Sequence, residues 1–105
     1  MNLFRSILSL ALAFAWLTCS ALAADSKTVD LYKSKCQGCH GADGKATAIG
    51  KKLGAKDFQD PEIAKMSEEE LAKVTATGKN KMPAYKGKLT DDQINALAKY
   101  IKELQ

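Results

Sequence analysis

Cys36-Gln37-Gly38-Cys39-His40 is the stretch that decides the fold of this chain. Two cysteines separated by two residues, with a histidine directly after the second, are typical of a c-type haem attachment site. The two thiols can add to the two vinyl groups of one porphyrin, and residues three apart share a face of a helix. His40 can then turn its ring under the iron as the proximal ligand. The pentapeptide therefore predicts one covalently bound haem.

Other uses of this pentapeptide fit the chain less well. A structural zinc site needs four ligands, and the only further cysteine, Cys19, lies in a segment that we expect to be removed. A thioredoxin-like motif would need strand and helix patterns around it, which the chain lacks. A disulfide between Cys36 and Cys39 would close only a tiny loop and so would do little for a fold.

Residues 1–23 have the features of a secretory signal peptide. Arg5 supplies the positive start, residues 7–17 are almost wholly apolar, and Ala21-Leu22-Ala23 is a suitable cleavage site. The apolar run is shorter than the roughly 20 residues that a membrane-spanning helix needs. We therefore expect cleavage before Ala24, export to the periplasm and no membrane span afterwards, with an uncleaved anchor as the alternative.

Cleavage would leave residues 24–105 as one small domain of 82 residues. A domain of this size has a marginal core, and a covalent haem would supply the missing apolar interior. Its net charge would be +3, from 15 lysines against 12 acidic residues, and the haem propionates would bring this close to neutral. With no arginine and no long basic run in residues 24–105, the composition argues against a nucleic-acid partner.

Capping patterns predict an all-α fold with three to five helices around the haem. The expected helix starts are Asp25 or Ser26, Asp60 before Pro61, Ser67 with Glu70, and Thr90 with Gln93. The first helix should end at Gly41, and residues 41–59 should form an irregular loop with at most a short helical turn. The last helix should present one apolar stripe to the core.

The second iron ligand has to come from a different residue type. His40 is the only histidine in the chain, so bis-histidine ligation within one molecule is excluded. Methionine is the next usual partner. Met82 lies in a loop that could cross the far face of the porphyrin, whereas Met66 lies at a helix junction and suits core packing. We predict Met82, with Met66 or an open or lysine-ligated iron as alternatives.

These features together resemble the class I c-type cytochromes. The haem motif near the start of residues 24–105, the sequence Lys81-Met82-Pro83-Ala84-Tyr85 and a capped last helix containing Tyr100 are most similar to the small bacterial c5, c553 and c6 types. The resemblance covers nearly all of residues 25–105. It implies thioether bonds at Cys36 and Cys39, His40 as proximal ligand and Met82 as distal ligand of a single haem c.

Two positions depart from the pattern of that family. Thr28 stands where the family usually has glycine at the crossing of the first and last helices, which predicts a slightly wider crossing where Tyr32 and Tyr100 meet. Ala48 stands where the family often has a proline whose carbonyl accepts the ring N–H of the proximal histidine. A backbone carbonyl at that place could still orient His40.

The resemblance implies a periplasmic one-electron carrier rather than an enzyme. Donor and acceptor proteins would bind transiently at the haem edge, where lysines surround Met82, and the protein would be a monomer. A haem enzyme or gas sensor with five-coordinate iron would need a distal histidine or arginine, and residues 24–105 have none to spare. A third possibility is a structural module in which haem serves only as a core.

Overall fold

The computed structural model of the chain describes residues 24–105, so the predicted signal peptide and Cys19 lie outside the described part. Six helices occur in this part: α1 Ser26–Lys35, α2 Gln37–His40, α3 Ala48–Lys52, α4 Pro61–Ala64, α5 Glu68–Thr77 and α6 Asp91–Glu103. Only two isolated β-bridges accompany them in residues 24–105, and the all-α prediction is confirmed. The six helices exceed the three to five predicted, because the first is divided at Cys36 and α3 forms within residues 41–59. None of these helices is both long enough and apolar enough to cross a bilayer.

The helices begin at the predicted caps. The Asp25 carboxylate accepts the amide of Thr28 at 2.8 Å, and Asp60 precedes Pro61 at the first position of α4. Ser67 and Thr90 each form a complete capping box, in which a hydroxyl and an acidic or amide side chain three residues later satisfy each other's backbone amides. Each of these bonds spans three residues or fewer, so the cap sequences alone were sufficient to predict them.

The core forms where α6 packs across α1 and α5. Tyr32 of α1 and Leu97 of α6 are the two large side chains that are essentially fully buried. The rings of Tyr32 and Tyr100 meet edge to face with centroids 5.0 Å apart, as expected for aromatic residues at this helix crossing. Thr28 is also buried there, and the slightly wider crossing expected from it stays a prediction.

The first predicted helix is divided at Cys36 into α1 and α2. Cys36 closes α1 with its amide on the carbonyl of Tyr32, and its own carbonyl then accepts the amide of His40 at 3.0 Å. Gly41 ends α2 with a φ of 74°, a conformation that favours glycine. The Tyr32 hydroxyl donates to the Gly41 carbonyl at 2.6 Å, which ties the end of the haem motif to the core.

Helix α3 packs closely against α2, and this contact requires a glycine. The amide of Thr47 donates to the carbonyl of Cys39 at 2.9 Å. A Cβ atom on Gly50 would lie 2.0 Å from that same carbonyl oxygen, far inside any normal contact. The two backbones can therefore approach this closely only because residue 50 has no side chain.

Gly50→Ala is expected to destabilise the protein by about 1–3 kcal/mol, the usual cost of overpacking. The added methyl group must push α3 away from Cys39. Gly38→Ala is a matched control, because a Cβ on Gly38 meets nothing within 4 Å, and alanine favours helix by about 1 kcal/mol over glycine. Urea unfolding measures both variants, and equal stabilities would contradict the close contact.

Candidate cofactor site

One large cavity opens among the helices and collects the residues singled out by the sequence. Its volume is about 480 Å³, within the range usual for small-molecule and cofactor sites. Cys36, Cys39, His40 and Met82 all line it, and Met66 lines it as well. Much of the remaining wall is apolar and includes Phe58, Ile63, Leu71, Val74, Leu97 and Ile101. The cavity is therefore mainly apolar, and its wall contains sulfur and nitrogen atoms that could bind a metal.

Cys36 and Cys39 are free, half-buried thiols on one side of this cavity. Burial raises the pKa of the Cys36 thiol to about 11, so the thiol is protonated at neutral pH. A thioredoxin-like reactive cysteine needs the opposite shift. Within residues 24–105, no three His, Cys, Asp or Glu side chains converge to hold a metal ion. The geometry thus argues against both the thiol-redox and the zinc interpretations.

The His40 imidazole lies at the end of α2 and is half-buried. Burial lowers its pKa, which favours the neutral ring that iron binds. Its Nδ1 atom is buried and has no hydrogen-bond partner among residues 24–105. No backbone carbonyl near Ala48 therefore takes the place of the proline carbonyl that the family often has there. Instead, the neighbouring residue Thr47 donates to α2: its hydroxyl bonds the Gly38 carbonyl at 2.8 Å.

Phe58 is a site residue that the sequence analysis missed. Its ring is stacked on the His40 ring, with centroids 4.9 Å apart and planes 26° apart. Its other neighbour is Tyr32, edge on at 6.4 Å, and the side chain is buried. The sequence did contain a sign of its burial. A single aromatic residue in a polar, glycine-rich loop is expected to pack into the core and hold the loop in place.

The loop that carries Met82 is held in place at several points. Lys79 and Met82 exchange backbone hydrogen bonds of 3.2 and 2.9 Å across a tight turn, in which Asn80 adopts a φ of 54°. Beyond Pro83, the Tyr85 hydroxyl donates to the Lys35 carbonyl at 3.1 Å, just before Cys36. The methionine loop is thereby fastened to the helix that precedes the haem motif.

Met66 shares the cavity wall with Met82. It lies between α4 and α5 and is half-buried. Its carbonyl and that of Ala64 each accept a hydrogen bond from the Lys102 ammonium at 2.8 Å. The α4–α5 junction is thereby fastened to α6. Two thioethers therefore line the same cavity, on two independently anchored segments.

The cavity carries a basic rim. Its charged lining residues are Lys35, Lys56, Lys65, Lys79, Lys81 and a single acid, Glu62. Glu62 forms an ion pair with Lys56, which leaves the remaining lysines uncompensated at the rim. An exposed pair of this kind adds little to stability, but the surplus positive charge shapes the field around the opening.

The donor set of this cavity suits a haem c better than a bare metal ion. Two thiols, an imidazole and a thioether are the groups that attach and ligate such a haem. Apolar side chains suit the flat face of a porphyrin, and lysines at the opening suit its propionates. The residues that line the cavity therefore fit a haem c.

The chain is similar to known cytochromes over most of its length. Residues 23–101 match the family model described as cytochrome c oxidase, cbb3-type, subunit III. Cytochrome c6 of Thermostichus vulcanus is 34% identical over 93% of this chain and 88% of that protein. Cytochrome c6 of Thermosynechococcus vestitus is 33% identical over the same shares. The solved c-type cytochrome KustC0563 superposes with a TM-score of 0.69 at 34% identity, over 74% of this chain and 96% of that one.

Proposed function

The chain belongs to the small class I c-type cytochromes, and from that premise we propose that it is a periplasmic one-electron carrier with a single haem c held between His40 and Met82. The convergence of Cys36, Cys39, His40 and Met82 on one cavity carries the proposal. Cys36 and Cys39 would hold the haem through two thioether bonds.

Haem c supplies a reversible one-electron couple between ferrous and ferric iron. The chain's own residues bind, orient and shield it. His40 offers a neutral imidazole from a helix end, and Met82 offers a soft, neutral thioether that favours the ferrous state. Leu71, Leu97 and Ile101 exclude water from the interior. The relatives of this chain are named cytochrome c6, and we propose the role of an electron carrier rather than an enzyme.

Residues 1–23 would direct export and be removed before Ala24. Mass spectrometry of the denatured protein, purified from the periplasm, tests this together with haem attachment. We expect a chain that starts at Ala24 and carries the mass of one haem. Visible spectra should show a low-spin iron in both redox states. A chain without bound mass would contradict the covalent attachment, and a high-spin spectrum would contradict the two-ligand site.

The basic rim predicts that docking with an acidic redox partner depends on salt. Electrostatic attraction should steer a small, transient contact at the cavity opening, since such steering raises association rates and is screened by ions. The electron-transfer rate is therefore expected to fall as ionic strength rises. Stopped-flow kinetics with an acidic acceptor protein measures it.

Charge reversal at the rim should give the same result at fixed salt. Lys79→Glu with Lys81→Glu is expected to slow electron transfer several-fold, because both residues line the opening. Lys27→Glu is the matched control, since Lys27 is also exposed but lies in the first turn of α1, away from the cavity. Equal slowing in both variants, or a rate that ignores salt, would count against the rim as the docking surface.

A further inference from the structure

Within residues 24–105, the imidazole of His40 lacks the second hydrogen bond that usually orients a ligating histidine. Such rings normally donate their second N–H to a carbonyl or carboxylate, which sets the ring plane and raises the basicity of the ligand. Here Nδ1 is buried and has no partner among the residues that the structure describes. Some other contact must therefore decide how the ring is turned.

The only aromatic contact of this ring within residues 24–105 is with Phe58. The two rings are stacked, 4.9 Å between centroids and 26° between planes. Phe58 in turn meets Tyr32 in a T-shaped contact with centroids 6.4 Å apart, and its exposed fraction is 5%. A flat ring face on a fixed base restricts rotation of the imidazole, because a rotated ring would drive its edge into the phenyl face.

Phe58 is held by two loop segments that are bonded to each other. The Phe58 amide donates to the Gly44 carbonyl at 2.8 Å, and the Asp57 carboxylate accepts the Ala46 amide at 2.8 Å. The Gln59 side-chain nitrogen donates to the carbonyl of Asp43 at 2.9 Å and to that of Leu104, the C-cap of α6, at 2.6 Å.

Residue 44 also has to be a glycine for this arrangement. Its φ is +82°, and a Cβ there would lie 2.7 Å from a ring carbon of Phe58. The loop 43–46 thus closes directly onto the phenylalanine. Three consecutive residues, 57 to 59, are each hydrogen-bonded to this loop, so hydrogen bonds as well as apolar packing hold the ring in position.

We propose that Phe58 is a positioning residue for the proximal iron ligand, and that its ring face, rather than a hydrogen bond at Nδ1, sets the plane of the His40 imidazole. This deepens the proposed function and rests on His40 as an iron ligand. Phe58 also shields Nδ1 from water. An imidazole without a hydrogen bond at Nδ1 is a weaker electron donor, so the contact favours ferrous iron and holds the reduction potential up.

Phe58→Leu in the haem-loaded protein tests the inference. Leucine keeps an apolar side chain but removes the flat face, so the imidazole can rotate and water can reach Nδ1. We expect the potential to fall by about 59 mV, a tenfold shift in a one-electron equilibrium. The haem-methyl NMR shifts of the ferric protein report the ring plane, and their pattern should change. Phe58→Tyr retains the ring face and should restore both readouts.

Ala98→Gly separates positioning from general stability. Ala98 is buried in α6 and does not line the cavity, so the variant lowers the melting temperature but should leave the potential and the NMR pattern unchanged. Gln59→Ala provides a second route if Phe58→Leu does not load haem. It removes the bonds to Asp43 and Leu104 without touching the ring, and should shift both readouts in the same direction by less.

Low-spin visible spectra in these variants establish first that His40 and a second ligand remain bound. If His40 and Met82 do not ligate the iron, the visible spectrum of the unsubstituted protein will already lack the low-spin form. The positioning role is overturned if low-spin Phe58→Leu, or Gln59→Ala where Phe58→Leu does not load, keeps the original potential and methyl-shift pattern. It is equally overturned if Ala98→Gly shifts them as far.

Discussion

Met82→Ala is expected to lower the reduction potential and to open the iron to added cyanide or carbon monoxide. Methionine sulfur is a soft, neutral ligand that favours ferrous iron, and alanine leaves that position to water or hydroxide. The ferric protein should also lose the weak charge-transfer band at the red end of the spectrum that a sulfur–iron bond produces. Visible spectroscopy, ligand titration and potentiometry measure these three changes.

Met66→Ala is the matched control for this prediction. Met66 lines the same cavity but lies on a segment fastened by Lys102, and we expect it to be a packing residue. Its truncation should cost about 2 kcal/mol of stability, the low end for a buried methionine because the side chain is only half-buried. The red band should persist. If Met66→Ala loses the band and Met82→Ala keeps it, the distal ligand is Met66.

Replacing both Cys36 and Cys39 with alanine is expected to abolish stable folding. The core of residues 24–105 surrounds a cavity of about 480 Å³. Removing one large buried side chain already costs about 2–5 kcal/mol, and this cavity is larger than the space that one side chain fills. The entire stability of a domain is about 5–15 kcal/mol. Without a bound haem, the helices therefore have too little interior to hold them together.

Far-ultraviolet circular dichroism during thermal unfolding measures this effect. The double variant should show little helix and no cooperative melting. Cys36→Ala and Cys39→Ala singly should retain one thioether and lie in between, and Ser34→Ala, an exposed change in α1, should melt like the original protein. A cooperatively melting, haem-free protein would show that the polypeptide core is sufficient by itself.

The local features of this fold could be predicted from sequence because the interactions that form them are local. The caps at Asp25, Ser67 and Thr90 each bond a backbone amide three residues away. Gly41 ends α2 because its backbone favours a positive φ. The amphipathic stripe of α6 likewise repeats within a single helix. The break at Cys36 was not predicted, since the pattern of apolar residues continues through it.

The relation between distant segments required the tertiary structure. The spacing of the haem motif predicted a site at Cys36, Cys39 and His40, but no spacing rule brings Phe58 to the His40 ring, 18 residues away. The family pattern suggested a carbonyl near Ala48, and yet Nδ1 has no partner in residues 24–105.

The tie between the methionine loop and the helix before the haem motif is another contact that only the folded chain reveals. It joins Tyr85 to Lys35 across 50 residues. Such a bond forms only when the loop and the helix are packed on the same core, and the position of a loop depends on the elements beneath it. The helices and the residue types of the candidate ligands could therefore be predicted from local sequence patterns. The neighbours that orient those side chains could be found only in the folded chain, because orientation depends on contacts made after the helices have packed.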